Sequence, residues 1–343
     1  MSDKKILVTG GTGYIGSHTV VELINAGYQP LIVDNFSNSS PKILDQLEAI
    51  TGIRPLNFDF DLCDEKATTN FVNQHPDITG VIHFAAYKAV GESVEKPLKY
   101  YHNNFYSLIN LLEAFSNKKI NFVFSSSCTV YGQPDALPVT ENAPVKRAES
   151  PYGNTKQIAE EILAEVAVVN KNLRVTALRY FNPVGAHKSA LIGELPIGVP
   201  QNLVPFITQS AIGKRGFVTV YGNDYDTPDG SCIRDYIHVV DLAKAHVAAL
   251  NYMENGKSEK SYNVFNIGTG KGSTVLEVIN AFEKATGVKL DYKIGARRSG
   301  DIEKIYGDVT KSAVELGWKS ELDLNEMMRS GWEWEKYIKE HSL

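Results

Sequence analysis

The chain is poor in the residues that build covalent or metal frameworks. Its 343 residues include three cysteines, Cys63, Cys128 and Cys232, far apart and with no Cys-x-x-Cys, which argues against a secreted disulfide framework. Its eight histidines form no His-Glu-x-x-His and no other close ligand pair, so no metal site is expected. No apolar run approaches the roughly 18 residues that span a bilayer, and no membrane partner is expected. An excess of basic charge is also missing, with 35 Lys and Arg against 40 Asp and Glu, interspersed, for a net charge of −5. That balance disfavours nucleic acid, whose phosphate backbone is bound by a basic face. An anionic small molecule would have to be held by a few local arginines and lysines. The opening residues pass straight into a strand-like segment without an apolar signal region, and the cytoplasm is the expected location.

What is abundant is alternating pattern. Hydrophobic residues make up 43% and charged residues 22% of the chain, enough to bury a large core without staples. Short β-branched runs at 5–9, 30–34, 55–60, 80–84, 121–125 and 174–180 alternate with amphipathic stretches near 14–26, 41–51, 64–74, 97–117 and 151–170. Strands separated by helix-length crossovers predict an α/β fold, a doubly wound parallel sheet of the Rossmann kind. Beyond Tyr180 the texture changes. The stretch 182–202 carries Pro183, Pro196 and Pro200 with Gly185, Gly193 and Gly198, and reads as a long ordered loop. A helix near 203–213, a strand at 217–221, a strand and helix over 235–253 and a strand at 261–267 follow. The last of these strands could return to the main sheet. The expected division is therefore interleaved: 1–182 with about 235–267 as the Rossmann domain, and about 183–234 with 268–343 as a smaller α/β lobe.

The first strand runs into Gly10-Gly11-Thr12-Gly13-Tyr14-Ile15-Gly16, at the opening of the first helix. Glycines there permit a tight turn and close backbone approach to a pyrophosphate, whose charge is favoured by the helix N-terminus. Alone, such a turn is weak evidence, because many strand–helix connections use glycine for geometry. The second strand, however, ends in Asp34, eighteen residues after Gly16, the place of a carboxylate that accepts from ribose hydroxyls. An acid there repels a 2′-phosphate, and no Arg or Lys follows until Lys42, so NAD is expected rather than NADP. Asp61, ending the third strand, could meet the adenine in the same way.

Of 17 tyrosines only Tyr152 is followed four residues later by a lysine, Lys156, and i, i+4 spacing puts both on one helix face. An ammonium beside a phenol favours the phenolate, and bringing a tyrosine from pKa about 10 toward 7 takes about 4 kcal/mol. A positive nicotinamide ring would add to it. The preceding strand ends in Ser125-Ser126-Ser127-Cys128-Thr129, at the sheet edge where ligands of open α/β folds sit. With Gly-x-x-Gly-x-x-Gly at 10–16, a serine on the strand before the helix and Tyr-x-x-x-Lys at 152–156, the chain resembles the extended short-chain dehydrogenase/reductase family. Its closer resemblance, over nearly the whole length, is to that family's UDP-glucose/UDP-galactose 4-epimerases. Residues 84–93, 179–187, 234–239 and 297–301 carry it.

The resemblance implies inversion at C4 of a UDP-hexose without net redox change. Tyr152 as phenolate would remove the C4-hydroxyl proton while hydride passes to NAD. The resulting 4-keto sugar would swing about its diphosphate bond and receive hydride and proton on the other face. Ser127 would hydrogen-bond the reacting oxygen, and Lys156 would bind nicotinamide ribose hydroxyls and tune Tyr152. The cofactor contacts implied are Gly10, Gly13, Tyr14, Ile15 and Gly16 on the turn, with Asp34, Asn35, Asn38 and Ser39 after the second strand. Asp61, Leu62, Phe84, Ala85, Ala86, Lys88, Asn103, Ser125 and Tyr180 complete them. The nucleotide sugar would meet Lys88, Phe181, Asn182, Asn202, Leu203, Tyr221, Arg234, Arg298 and Asp301, with the guanidinium forks matching phosphate oxygens.

Two positions depart from the family pattern. Cys128 stands where alanine is usual, and Ile305 stands where relatives carry a bulky tyrosine or a small residue that governs admission of N-acetylated sugars. Glucose/galactose activity with weak turnover of UDP-N-acetylhexosamines is the expectation. A 4,6-dehydratase would need an Asp-Glu pair that Ser127-Cys128-Thr129-Val130 does not supply. A plain reductase would form or consume NADH with its substrate. A module that senses NAD without chemistry would have no use for Ser127, Tyr152 and Lys156 together. Helices near 97–117 and 151–170 resemble those through which the family dimerises, so a homodimer is expected.

Overall fold

The computed structural model describes residues 4–298 and 301–341. In chain order its first half runs β1 (Lys5–Thr9), α1 (Tyr14–Asn25), β2 (Gln29–Val33), α2 (Lys42–Thr51), β3 (Leu56–Phe58), α3 (Glu65–Gln74), β4 (Ile78–His83), α4 (Val90–Glu95), α5 (Pro97–Ala114), β5 (Ile120–Ser127), α6 (Pro151–Val169) and β6 (Leu173–Tyr180). The second half runs β7 (Asn182–Val184), α7 (Leu203–Ala211), β8 (Val218–Tyr221), β9 (Ile233–Arg234), β10 (Tyr236–His238), α8 (Val239–Glu254), β11 (Tyr262–Ile267), β12 (Ser273–Thr274), α9 (Val275–Thr286), β13 (Tyr292–Gly295), β14 (Lys304–Ile305) and α10 (Leu324–His341).

Seven parallel strands form one sheet in the order β11-β6-β5-β4-β1-β2-β3. Because successive side chains of a strand leave on opposite faces, β1 feeds two cores at once. Ile6 and Val8 pack with Val20, Leu47, Leu242 and Leu250 from α1, α2 and α8. Leu7 packs with Phe71, Leu108, Leu111 and Leu163 from α3, α5 and α6. Covering both faces explains why these strands are apolar throughout rather than alternating. Chain order reverses between β1 and β4, and the crevice of such a sheet opens beyond the C-terminal strand ends at that point.

A separate core joins Val204 and Ile207 of α7, Val218 and Val220 of β8, Val278, Ile279 and Phe282 of α9, and Met327 and Met328 of α10. Pairing of β8 with β13 is parallel. The 182–202 stretch differs from a plain loop: its first residues form β7, paired in parallel with β10 through Asn182↔Tyr236. That partner lies more than fifty residues downstream, beyond the reach of local periodicity. The short α4 is also an element the 3.6-residue pattern is too brief to reveal. Ser299 and Gly300, in the 297–301 motif, lie outside the described residues. Among the described residues no helix is long and apolar enough to cross a membrane, and no group of three or more His, Cys, Asp or Glu could hold a metal ion.

Candidate active site

The β1–α1 turn is shaped by backbone contact. Gly10 has φ +67°, and a Cβ on it would lie 3.0 Å from the Ala85 nitrogen. A Cβ on Gly16 would lie 2.2 Å from the Gly10 carbonyl oxygen, so α1 can start this close to β1 only with glycine at 16. Gly13 caps α1 in an extended conformation with no side chain bonded to the first turn, which leaves the leading N–H groups to a ligand. Asp34 accepts from the Thr12 and Phe36 backbone N–H groups at 3.0 and 2.9 Å and from the Ser39 hydroxyl at 3.3 Å. The acid therefore braces the glycine turn as well as ending β2. Gly10, Gly13, Gly16, Asp34 and Ser39 line a cavity of about 300 Å³ together with Ile15, Asn35, Asn38, Asp61, Leu62, Phe84, Ala86 and Asn103. An elongated crevice with free helix N–H groups at its middle and carboxylates at two strand ends fits a dinucleotide.

The same crevice is lined by the residues expected to react, Ser127, Tyr152 and Lys156. Ser150 caps α6, accepting from the Gly153 N–H at 3.1 Å, and Pro151 follows it. This start puts Tyr152 in the first turn and Lys156 one turn later, facing β5. Strand alternation divides the three serines: Ser125 and Ser127 line the crevice, while Ser126 turns away to bond Glu160 at 2.5 Å. Ser125 and Tyr180 share a hydroxyl–hydroxyl hydrogen bond of 2.5 Å. The Lys156 ammonium donates to the Ser125 carbonyl at 2.7 Å and lies 4.8 Å from the centre of the Phe124 ring. Burial lowers Lys156 to about 8, against the opposing charge of Glu160. Burial likewise pushes the Tyr152 phenol well above its ordinary value, with Tyr180 adding to the rise and a hydrogen bond with Ser127 opposing it. Lys156 was expected to favour the phenolate, yet its ammonium is directed at a main-chain carbonyl. A phenolate at Tyr152 needs a further positive charge beside it.

A second cavity of about 700 Å³ opens off the first and shares Gly13, Tyr14, Lys88, Cys128, Asn182 and Asn202 with it. Arg234, Arg298, Asp301 and Ile305 line its far side. Arg298 is held in a fork by Asp301, at 2.7 and 3.1 Å. Arg234 donates to its neighbour's carbonyl, that of Ile233, at 2.8 Å. Phe181 lines the first cavity, its ring so near Gly307 that a Cβ there would come within 2.5 Å of it. Two expected contacts lie off both cavities. Leu203, first residue of α7, packs into the smaller lobe's core. Tyr221 is exposed at the end of β8, 5.4 Å from the Arg298 guanidinium.

Sequence reasoning missed the groups that hold this wall together. Asp235 is wholly buried and accepts from the Thr269 N–H and hydroxyl, the Gly270 N–H and the Gly307 N–H at 2.7 to 3.3 Å. It thereby ties two segments to Arg234 beside it. Adjacency to an arginine was its only local signal. Glu194 was missed also, because its partners Lys88 and Asn202 meet only in the folded chain.

Residues 7–331 match the family model described as GDP-mannose 4,6 dehydratase. The chain is 49% identical to the UDP-glucose 4-epimerase of Haemophilus influenzae over 96% of its own length and 97% of that protein's. The chain belongs to the UDP-glucose 4-epimerase family. Its identity to the bovine member is 47%, with 97% of each chain covered. Solved structures of the family superpose closely. The Stenotrophomonas maltophila UDP-glucose 4-epimerase, with bound NAD and formylated UDP-arabinopyranose, gives a TM-score of 0.95 at 44% identity, covering 98% of this chain and 99% of that one. The Bifidobacterium longum enzyme, in complex with NAD+ and UDP, gives 0.92 at 47% identity over 98% and 99% of the two chains.

Proposed function

We infer that this chain interconverts UDP-galactose and UDP-glucose with NAD as its resident cofactor. The observation that carries the reading is that Tyr152, Lys156, Ser125 and Ser127 line the first cavity, which joins the second at neighbouring Cys128 and Thr129, within a chain that shares the epimerase family's sequence over almost all its length. NAD, held by the glycine turn and Asp34, would supply the hydride acceptor and donor for the sugar's C4. Tyr152 accepts the C4-hydroxyl proton and gives it back, one group serving as base and then acid. Ser127 hydrogen-bonds the reacting oxygen. Lys156, anchored on the Ser125 carbonyl, offers its remaining donors to the nicotinamide ribose and places a positive charge on the Tyr152 side of the crevice. Arg234 and Arg298 face the diphosphate. The glycine turn, Asp34 and Asp61 hold the other half of the dinucleotide.

The dehydratase name of the matching family model does not displace this reading, because Ser127-Cys128-Thr129-Val130 offers no acid–base carboxylate pair. Ile305 is buried in the lining of the second cavity, and with it we assign a preference for glucose and galactose over N-acetylated sugars. Residues 1–182 with about 235–267 serve the dinucleotide, and the remainder serves the nucleotide sugar. A homodimer through α5 and α6 is supported by the exposure of Leu98, Tyr106, Val168 and Val169 on those helices, and the cytoplasm remains the proposed location. Incubation with UDP-galactose and no added cofactor, followed by chromatography, tests the reading: UDP-glucose should appear, and its absence from protein that carries NAD would end it.

A further inference from the structure

Glu194 has no part in the reaction just described, yet its carboxylate lines the second cavity and bonds two residues, Lys88 and Asn202, that line both. Its side chain is only 13% exposed. One oxygen, Oε1, accepts from the Lys88 ammonium at 3.3 Å and from the Asn202 amide at 2.9 Å. These donors come from segments far apart in the chain. Lys88 follows β4, its ammonium 5.8 Å from the centre of the Tyr14 ring on α1. Asn202 is the N-cap of α7 in the smaller lobe. The Glu194 main chain is fixed independently, its carbonyl accepting from the Trp334 indole at 2.8 Å. Trp334 also packs directly on Gly193, where a Cβ would lie 2.4 Å from the indole. Only the carboxylate bonds Lys88 and Asn202.

An acid is a poor neighbour for two diphosphates, and a carboxylate this buried is stable only when paired. Its value must lie in what it holds. We propose that Glu194 is a positioning residue that fixes Lys88 and Asn202 relative to one another, so that the cofactor groove and the nucleotide-sugar groove form as one unit. The inference rests on the reading above, in which Lys88 serves both ligands and Asn202 serves the nucleotide sugar. Without Glu194, two long polar side chains become free and must be ordered when substrate arrives, which weakens binding while leaving Tyr152 and Ser127 where they are. Such a loss is uniform to ground and transition states, raising KM and sparing kcat.

The test uses NAD-loaded protein carrying Glu194→Ala or Glu194→Gln. For Glu194→Ala, KM for UDP-galactose should rise about 10-fold with kcat within about 3-fold. Glu194→Gln, which keeps an acceptor for Asn202 and loses the charge for Lys88, should fall between. In a double-mutant cycle with Asn202→Ala the KM effects should be clearly less than additive. An unchanged KM in either variant, additive effects, or a fall in kcat with KM unaltered would overturn the proposal. Should Glu194→Ala not fold, Glu194→Gln carries the same decision. Calorimetric binding of UDP separates this inference from the reading it rests on. Wild-type protein that binds UDP but turns over no UDP-galactose would end the epimerase reading, and Glu194→Ala must still bind UDP about 10-fold more weakly for the inference to stand.

Discussion

Replacing Glu160 by Gln would leave Arg179 charged, buried and without its counter-ion. The two side chains are 8% and 7% exposed, and the guanidinium reaches both carboxylate oxygens through bonds of 2.6, 2.9 and 3.2 Å. The same carboxylate accepts from the Ser126 and Tyr262 hydroxyls at 2.5 and 3.1 Å. Removing one partner of a buried pair costs about 3–5 kcal/mol. Unfolding entropy for a chain of this length is about 0.7 kcal/mol per kelvin, so the thermal midpoint should fall by about 4–7 °C. Removing both charges in Glu160→Gln/Arg179→Leu should recover at least half of that, since an apolar replacement of a buried pair is often near neutral. Activity should follow a second path. Glu160 lies one turn beyond Lys156 on α6, and its charge opposes the burial that has lowered Lys156 to about 8. Without it the ammonium is lost at lower pH, and the alkaline fall of the pH–rate profile should move toward neutrality. Scanning calorimetry and the pH dependence of kcat read the two effects. A Glu160→Gln protein within about 1 °C of wild type, or a double variant less stable than the single, would refute the reasoning.

Tyr152→Phe should keep NAD through gel filtration and lose about 10²- to 10⁴-fold in kcat, and a near-normal rate would remove Tyr152 from the mechanism. Gly16→Ala drives a methyl to 2.2 Å from the Gly10 carbonyl, which neither backbone can yield cheaply. NAD should be lost on gel filtration, whereas Gly216→Ala, with open space around it, should retain it; equal retention in both would refute the packing argument. Stability should fall in acid, because burial holds His18 and His83 at about 3 and His238 and His246 at about 4. These folded values lie below the unfolded value of about 6.5. The stabilisation is therefore complete above pH about 6.5 and drains by up to about 1.4 kcal/mol per pH unit per histidine as pH falls toward the folded values. The urea midpoint should drop steeply between pH 6.5 and about 4.5, and a flat profile there would contradict the burial of these rings as neutral groups.

Much of the fold and half of the site can be read without coordinates, and the division follows the range of the forces. The β-branched runs and 3.6-residue stretches that became β1 to β6 with α1, α2, α3, α5 and α6 depend on neighbours a few residues away, and their ends agree to within a few positions. So do the turn chemistry of Gly10 to Gly16, the strand-end placement of Asp34, and the shared face of Tyr152 and Lys156. Resemblance to a family then supplied a reaction that composition could not.

Other features depend on which distant residues meet. Pairing of β7 with β10, the packing of Leu203 against the smaller lobe's core and the four bonds that immobilise Asp235 carry no local signature, because each is a contact between segments far apart in the chain. The direction of the Lys156 ammonium, toward the Ser125 carbonyl rather than the Tyr152 phenol, is of the same kind. Local periodicity and backbone sterics let the sequence alone determine the alternation of strands and helices and the cofactor turn. Only tertiary packing decided that Lys88 and Asn202, which line both cavities, meet on one carboxylate oxygen of Glu194.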